Sequence, residues 1–254
     1  MALNISGIGR DIAIIKNNKK YKKTIFSVSE EVEDNKINKS FESFEIKDGT
    51  FQYIPDRERD RDTIFICGSA GSGKSYWAGE YCKEYTRIYP DNPIYLISEG
   101  LMDPALDDLK NLKRVKIDDG LLEEPIEYTE FNNCLVIFDD IDAMTGKLGK
   151  YIYNLRDKLL KNARKAKVSV LTTNHTCTGL ELKAVLNESN VIVFFMANYN
   201  RALKYLLENY MGIDKDGVKL LKANKSRWTA YIKSFPNVIL QEHNIMTLDN
   251  IQKI

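Results

Sequence analysis

Eight consecutive residues, Gly68-Ser69-Ala70-Gly71-Ser72-Gly73-Lys74-Ser75, match G-x-x-x-x-G-K-[ST]. The chemistry of that pattern is phosphate binding. Its glycines let successive backbone N–H groups turn inward around a β-phosphate, while the dipole of the following helix adds positive potential. Lys74 is placed to bridge β- and γ-phosphates, and Ser75 to offer its hydroxyl to Mg²⁺. The pattern is informative only between a strand and a helix. The apolar run 63–67 precedes it, and 76–81 continues it as a helix. A fortuitous glycine-rich turn would lack both flanks.

A second run, Cys134-Leu135-Val136-Ile137-Phe138, delivers Asp139 and Asp140 at its C-terminal end, where doubly wound folds bind ligands. Asp139 is the Walker B residue expected to orient Mg²⁺, and Asp140 the base expected to polarise an attacking water. Asp142 is the alternative base. The competing reading is that acidic residues merely end a strand. Asp140 is one methylene shorter than the Glu that many ATPases of this kind carry. A third strand, 169–173, ends in Asn174-His175, and Asn174 or His175 is expected to sense the γ-phosphate, against the reading that both are turn residues. His175 and Cys177 are too few ligands for zinc.

These residues need a sheet to hold them. Apolar runs bounded by polar turns place strands at 63–67, 94–98, 113–117, 134–139, 168–173 and 191–196, with helices over 74–88, 148–166, 179–186 and 200–211. This is an α/β pattern: a mostly parallel, RecA-like P-loop NTPase sheet flanked by helices. Two strands near 228–234 and 236–241 could add an antiparallel edge. Residues 1–50 read as a small β-rich extension and 51–254 as the ATPase domain. Within the extension, 12–16 and 21–28 suggest a hairpin, 30–40 a charged loop, and 41–54 one or two strands.

Lys and Arg total 37 against 36 Asp and Glu, so no global basic field marks the chain as a nucleic-acid coat. Residues 147–167 do concentrate cations: Lys147, Lys150, Arg156, Lys158, Lys161, Arg164, Lys165 and Lys167 face one acid, Asp157. With Leu148, Tyr151, Ile152, Leu155 and Leu159 at helical spacing, this reads as a helix with one packed stripe. Its other face is either an ordinary solvated surface or a track for phosphates. Arg164 is expected to act as an arginine finger towards a neighbouring subunit, with Arg156, Arg201 and Arg227 as competitors. The acidic stretch 118–130 reads as a solvated loop. Four scattered cysteines without C-x-x-C fit buried, reduced thiols, and no segment is long and apolar enough to span a bilayer. The chain reads as soluble and intracellular.

No N-K-x-D element follows the Walker B strand, no L-S-G-G-Q signature is present, and no arginine-rich lid stands out. A motor or remodelling ATPase remains. Gly68 to Ser75, Leu135-Val136-Ile137-Phe138-Asp139-Asp140 and Asn162-Ala163-Arg164-Lys165-Ala166-Lys167-Val168-Ser169-Val170 together resemble the genome-packaging ATPases of large double-stranded DNA viruses and their relatives, P-loop motors of the FtsK/HerA class. The resemblance covers roughly residues 50–245; the family's strand after the arginine commonly ends in Gln, where this chain has Asn174-His175. It implies ATP- and Mg²⁺-driven translocation of double-stranded DNA by a homo-oligomeric ring, with a capsid or portal protein as a further partner. The expected setting is the host cytoplasm or a viral factory, with virion association left open. A helicase, a helicase loader or another remodelling ATPase is the alternative, as is a nucleotide-binding virion protein without turnover.

Overall fold

The computed structural model describes residues 2–5, 9–20, 25–29, 42–100, 102–234 and 236–248. Its strands are β1 (Ala2–Asn4), β2 (Arg10–Lys16), β3 (Ile25–Ser29), β4 (Ser43–Glu45), β5 (Thr50–Tyr53), β6 (Thr63–Cys67), β7 (Ile94–Ser98), β8 (Leu112–Arg114), β9 (Cys134–Asp139), β10 (Val168–Asn174), β11 (Val191–Phe194), β12 (Thr229–Ile232), β13 (Val238–Gln241) and β14 (Asn244–Thr247). The helices are α1 (Lys74–Ile88), α2 (Pro104–Asp107), α3 (Gly120–Glu123), α4 (Gly146–Asn162), α5 (Lys183–Glu188), α6 (Arg201–Tyr205) and α7 (Lys215–Ala223). Two compact units result: Arg59–Ile192, and Met1–Glu58 together with Val193–Ile254.

The unit Arg59–Ile192 is built on parallel strands in the order β6-β10-β9-β7-β8. Every residue of β6 and β10 is buried, and in β9 all but Asp139, as expected for a parallel sheet covered by helices, the polar residues of β10 included. Helix α1 packs Trp77, Ala78, Tyr81, Cys82 and Tyr85 inward at helical spacing, with the Trp77 and Tyr81 rings stacked 6.1 Å apart. The root of β6 is pinned by polar groups. Thr63 N–H donates to Asn190 Oδ1 at 2.6 Å, the Thr63 hydroxyl to the Glu188 carbonyl at 2.6 Å, and the Tyr81 hydroxyl to Asp62 at 2.9 Å.

Helix α4 buries Ile152, Leu155 and Leu159 of the expected stripe, leaves Leu148 and Tyr151 half-buried, and buries Leu160, which the stripe did not include. Arg156 departs from the expected cationic face. It is 1 % exposed and donates to the Glu181 carbonyl at 2.6 Å and to Asp157 at 2.9 Å, because its position falls among the apolar residues rather than opposite them. At the other end, the Arg61 guanidinium donates to the Leu159 carbonyl at 2.7 Å and to the Leu160 carbonyl. Both are last-turn carbonyls; the Leu159 carbonyl already accepts from Ala163 N–H at 3.2 Å, and the guanidinium adds a second donor there.

The other unit contains an antiparallel sheet ordered β1-β3-β2-β5 and the antiparallel run β4-β14-β13-β12. The expected hairpin appears as β2 against β3; residues 21–24 and 30–41 lie outside the described residues, so the turn and the charged loop are not placed. The strands expected near 228–241 are β12 and β13. A third, β14, was not expected; it pairs with β4, so the C-terminal strands share a unit with the N-terminal extension. The helix expected over 200–211 is α6 followed by a π-turn at Leu206–Tyr210.

Candidate nucleotide site

The eight-residue loop leaves the C-terminal end of β6 and opens directly into α1. Gly71 and Gly73 have φ of +74° and +107°, backbone that side chains rarely adopt, so both positions need glycine. A Cβ built on Gly71 would meet nothing within 4 Å, so the space beside this part of the loop is open. Ser69 and Ala70 are exposed on the turn, whereas Lys74 is 6 % exposed. The Lys74 ammonium donates to the Gly68 carbonyl at 3.1 Å, folding back over the loop it follows. The Ser72 hydroxyl is buried without a hydrogen-bond partner, an orphaned donor facing a cost that a phosphate oxygen would remove.

Strand β10 lies between the strand that carries this loop and the strand that carries the carboxylates. All three end on the same edge, so the loop, Asp139-Asp140 and the tip of β10 meet. Lys74 Nζ is 3.4 Å from Asp140 Oδ1. Asp140 has φ of +45°, a left-handed conformation that costs a non-glycine residue and that turns the chain sharply at the end of β9. The Thr173 hydroxyl accepts from Asp140 N–H at 2.9 Å and stands 2.8 Å from Asp139 Oδ1 and 3.1 Å from Asp140 Oδ1. Ser98, at the tip of β7, donates to Asp139 Oδ2 at 3.4 Å. Burial raises the Asp139 carboxyl above the ordinary aspartate value. The Thr173 hydrogen bond opposes that rise and the neighbouring Asp140 charge adds to it.

The two residues expected to sense the γ-phosphate diverge. Asn174 is 1 % exposed, and its amide donates to the Thr176 carbonyl and hydroxyl at 3.2 and 3.0 Å, closing a turn; its carbonyl accepts from Gly68 N–H at 3.1 Å. His175 faces the carboxylates instead. Its Nε2 is 3.5 Å from Asp140 Oδ2 and its Nδ1 is 3.3 Å from Asp142 Oδ1. Arg164 is 75 % exposed and pairs with Asp60 at 2.9 Å, outside this cluster. Buried Arg156 lacks the reach of a finger. Thr173 escaped the sequence reading because a threonine inside a β-branched strand looks like strand filler; only its place one residue before the polar tip hinted otherwise. The chemistry of the donors suits Mg²⁺: a hydroxyl, Ser75, and a carboxylate, Asp139, whose charged form burial disfavours.

A glycine-turned loop opening a helix, with paired carboxylates one strand removed across an inserted strand, defines the P-loop nucleoside triphosphatase class. The cytoplasmic domain of EssC superimposes with a TM-score of 0.50 at 14% identity over 79% of this chain and 39% of that one, and so shares the fold. The genome packaging NTPase B204 from Sulfolobus turreted icosahedral virus 2, in complex with ATP-gammaS, aligns with a TM-score of 0.49 at 15% identity over 72% of this chain and 98% of that one. In sequence, this chain is 30% identical over 192 residues to Uncharacterized protein V3 of Sputnik virophage, spanning 74% of this chain and 78% of that protein. The chain belongs to the family of that virophage protein. No protein-family model matches it.

Proposed function

We propose that this protein is an ATP-hydrolysing motor that translocates double-stranded DNA during viral genome packaging. The observation that carries the hydrolytic part is the meeting of Lys74, Asp139, Asp140 and Thr173 at one sheet edge beside an open phosphate loop. The packaging part rests on the resemblance of residues 68–75, 135–140 and 162–170 to packaging ATPases, and on kinship with a virophage protein.

In this reading the N–H groups of Gly71 to Ser75 and the Ser72 hydroxyl take the β-phosphate, and Lys74 exchanges Asp140 for the γ-phosphate. Ser75 and Asp139 are the residues that would hold Mg²⁺, which would supply positive charge to offset the charge developing on the phosphate. Freed of Lys74, Asp140 accepts a proton from the attacking water, while Thr173 fixes its backbone and carboxylate. Arg164, exposed just beyond α4, would serve a neighbouring subunit of a homo-oligomeric ring. The exposed Lys147, Lys150, Lys161, Lys165 and Lys167 give duplex phosphates a sequence-independent surface. A capsid or portal protein would receive the DNA, and the work would be done in the host cytoplasm or a viral factory. Among the described residues, no helix is long and apolar enough to cross a membrane.

The test is ATP turnover by the wild type and Lys74→Ala, with linear duplex, single-stranded or no DNA. Stimulation by duplex that falls steeply with added salt is expected. Stimulation by single strands alone would make the protein a helicase or loader, and absence of turnover in every condition would leave a nucleotide-binding virion protein.

A further inference from the structure

Asp142 holds His175 with both oxygens of one carboxylate. Its Oδ2 accepts the His175 backbone N–H at 3.1 Å, and its Oδ1 lies 3.3 Å from the ring Nδ1. Asp142 belongs to the short turn Ile141–Ala143 beyond β9, and His175 directly follows β10, so this pairing joins the ends of two hydrogen-bonded strands. The other ring nitrogen, Nε2, stands 3.5 Å from Asp140 Oδ2. The two oxygens of Asp140 are thus divided: the Thr173 hydroxyl and Lys74 Nζ lie 3.1 and 3.4 Å from Oδ1, and the imidazole faces Oδ2. The His175 side chain is 42 % exposed, so the ring also reaches solvent.

We propose that His175 is a proton relay: oriented by Asp142, it takes from Asp140 the proton that Asp140 removes from the attacking water, and passes it to solvent. The inference rests on the hydrolytic reading above, in which Asp140 is the base, and adds to it two residues which that reading leaves without a task. His175 acts through Asp140 rather than on the nucleotide.

The direction of the relay follows from donors and acceptors. A neutral imidazole carries one N–H and one lone pair, and the hydrogen bond made at one nitrogen decides what the other presents. Both neighbours of His175 are acceptors. Asp142 is the nearer and is already fixed to the backbone of the same residue, so the ring keeps its proton on Nδ1 and turns the Nε2 lone pair to Asp140. Two acceptors facing each other make no hydrogen bond, and the contact is slack while Asp140 is charged. It tightens once Oδ2 carries a proton, as catalytic contacts commonly do when the reaction is under way.

The steps balance. The water oxygen bonds to the γ-phosphorus as the bond to the leaving diphosphate breaks, and its proton goes to Asp140 Oδ2. The O–H bond at Oδ2 then breaks as Nε2–H forms, and the imidazolium lies between two carboxylates that favour it. Loss of the Nε2 proton to bulk water returns Asp140 to a carboxylate and His175 to a neutral ring. No further reagent is consumed.

The experiment measures ATP turnover and affinity for a fluorescent ATP analogue in full-length wild type and variants. His175→Ala should lose about 10- to 100-fold in kcat, the usual cost of removing a group that supports another, with analogue affinity unchanged. His175→Gln keeps polar contacts but cannot carry a proton from one partner to another, so it should be as slow. Added imidazole should restore His175→Ala saturably, and should do nothing for the wild type or for the Asp140→Asn, His175→Ala double variant. Asp142→Ala combined with His175→Ala should be no slower than His175→Ala, because the two residues act as a unit.

Undiminished turnover in His175→Ala or His175→Gln, a loss that imidazole leaves untouched, or rescue that persists without Asp140 would each overturn the relay. Analogue affinity falling in step with turnover would make His175 a phosphate contact instead. A double variant far slower than His175→Ala would give Asp142 a separate task and overturn its place as the orienting group. Wild-type protein that binds the analogue without turning ATP over removes the hydrolytic reading and the relay together, whereas wild-type turnover with an unaffected His175→Ala removes the relay alone.

Discussion

Lys74 Nζ rests 3.4 Å from Asp140 Oδ1, so the cation expected to grip a γ-phosphate is paired with the carboxylate expected to activate water. Each group blocks the other until a phosphate separates them. Asp140→Asn should therefore leave nucleotide binding intact, since the amide holds Lys74 less tightly, while hydrolysis falls roughly 10²–10⁴-fold, the ordinary worth of a positioned base. Equilibrium binding of a nucleotide analogue and phosphate release measure the two separately. Undiminished hydrolysis would transfer the role of base to Asp142.

Thr173 ties the backbone of Asp140 to both carboxylates. Thr173→Val keeps the shape of a fully buried side chain but orphans the Asp140 N–H, at a cost of about 1–3 kcal/mol. Turnover should drop about tenfold with little change in nucleotide affinity, and Thr173→Ser should restore most of it. A Val variant with wild-type turnover would reduce Thr173 to packing.

Arg164 is exposed and salt-bridged only at the surface, so Arg164→Ala should leave the melting temperature nearly unchanged. If it acts across a subunit boundary, turnover falls by roughly 10³-fold or more. Mixing Arg164→Ala with Lys74→Ala protein would then recover part of the activity, because one subunit supplies the loop and the next the arginine. Mixtures as inactive as their components would remove the trans role.

The loop after β7 is clamped electrostatically. Arg114 grips Asp107 with two hydrogen bonds, at 2.8 and 3.1 Å, and reaches the Ser98 and Gly100 carbonyls. The Arg114 hydrogen bond, the largest cause, holds Asp107 below the ordinary aspartate value. A carboxyl with a depressed folded value contributes stability above its unfolded value, about pH 4, and loses it as pH falls through the folded one. Arg114→Met should cost roughly 1–2 kcal/mol at pH 7 in urea unfolding, and the gap from wild type should narrow as the pH falls below the ordinary carboxylate value of about 4. A gap independent of pH would mean that packing, not charge, holds the loop.

The parallel core was legible because β6, β7 and β9 are mostly apolar runs that end in polar turns, and they occupy the expected 63–67, 94–98 and 134–139. The loop and the two carboxylates were legible because their chemistry dictates their spacing. What spacing could not convey was direction. Asn174 and His175 are adjacent, yet one closes a turn and the other faces Asp140, a choice made by the Thr176 hydrogen bonds. Arg156 looked like a member of a cationic face, although it is a residue away from Leu155 and buried with it. The strand β14 went unseen because four residues gain meaning only from their partner β4, some two hundred positions earlier in the chain.

Arg61 gives the cationic helix a mechanical meaning. Helix α4 is 17 residues long, a strut of about 25 Å, and Arg61 bolts its last carbonyls to the residue two before β6 begins. In the proposed motor, a load taken up by Lys147 or Lys150 at the far turns would pass along this stiff rod to the strand that ends in the phosphate loop.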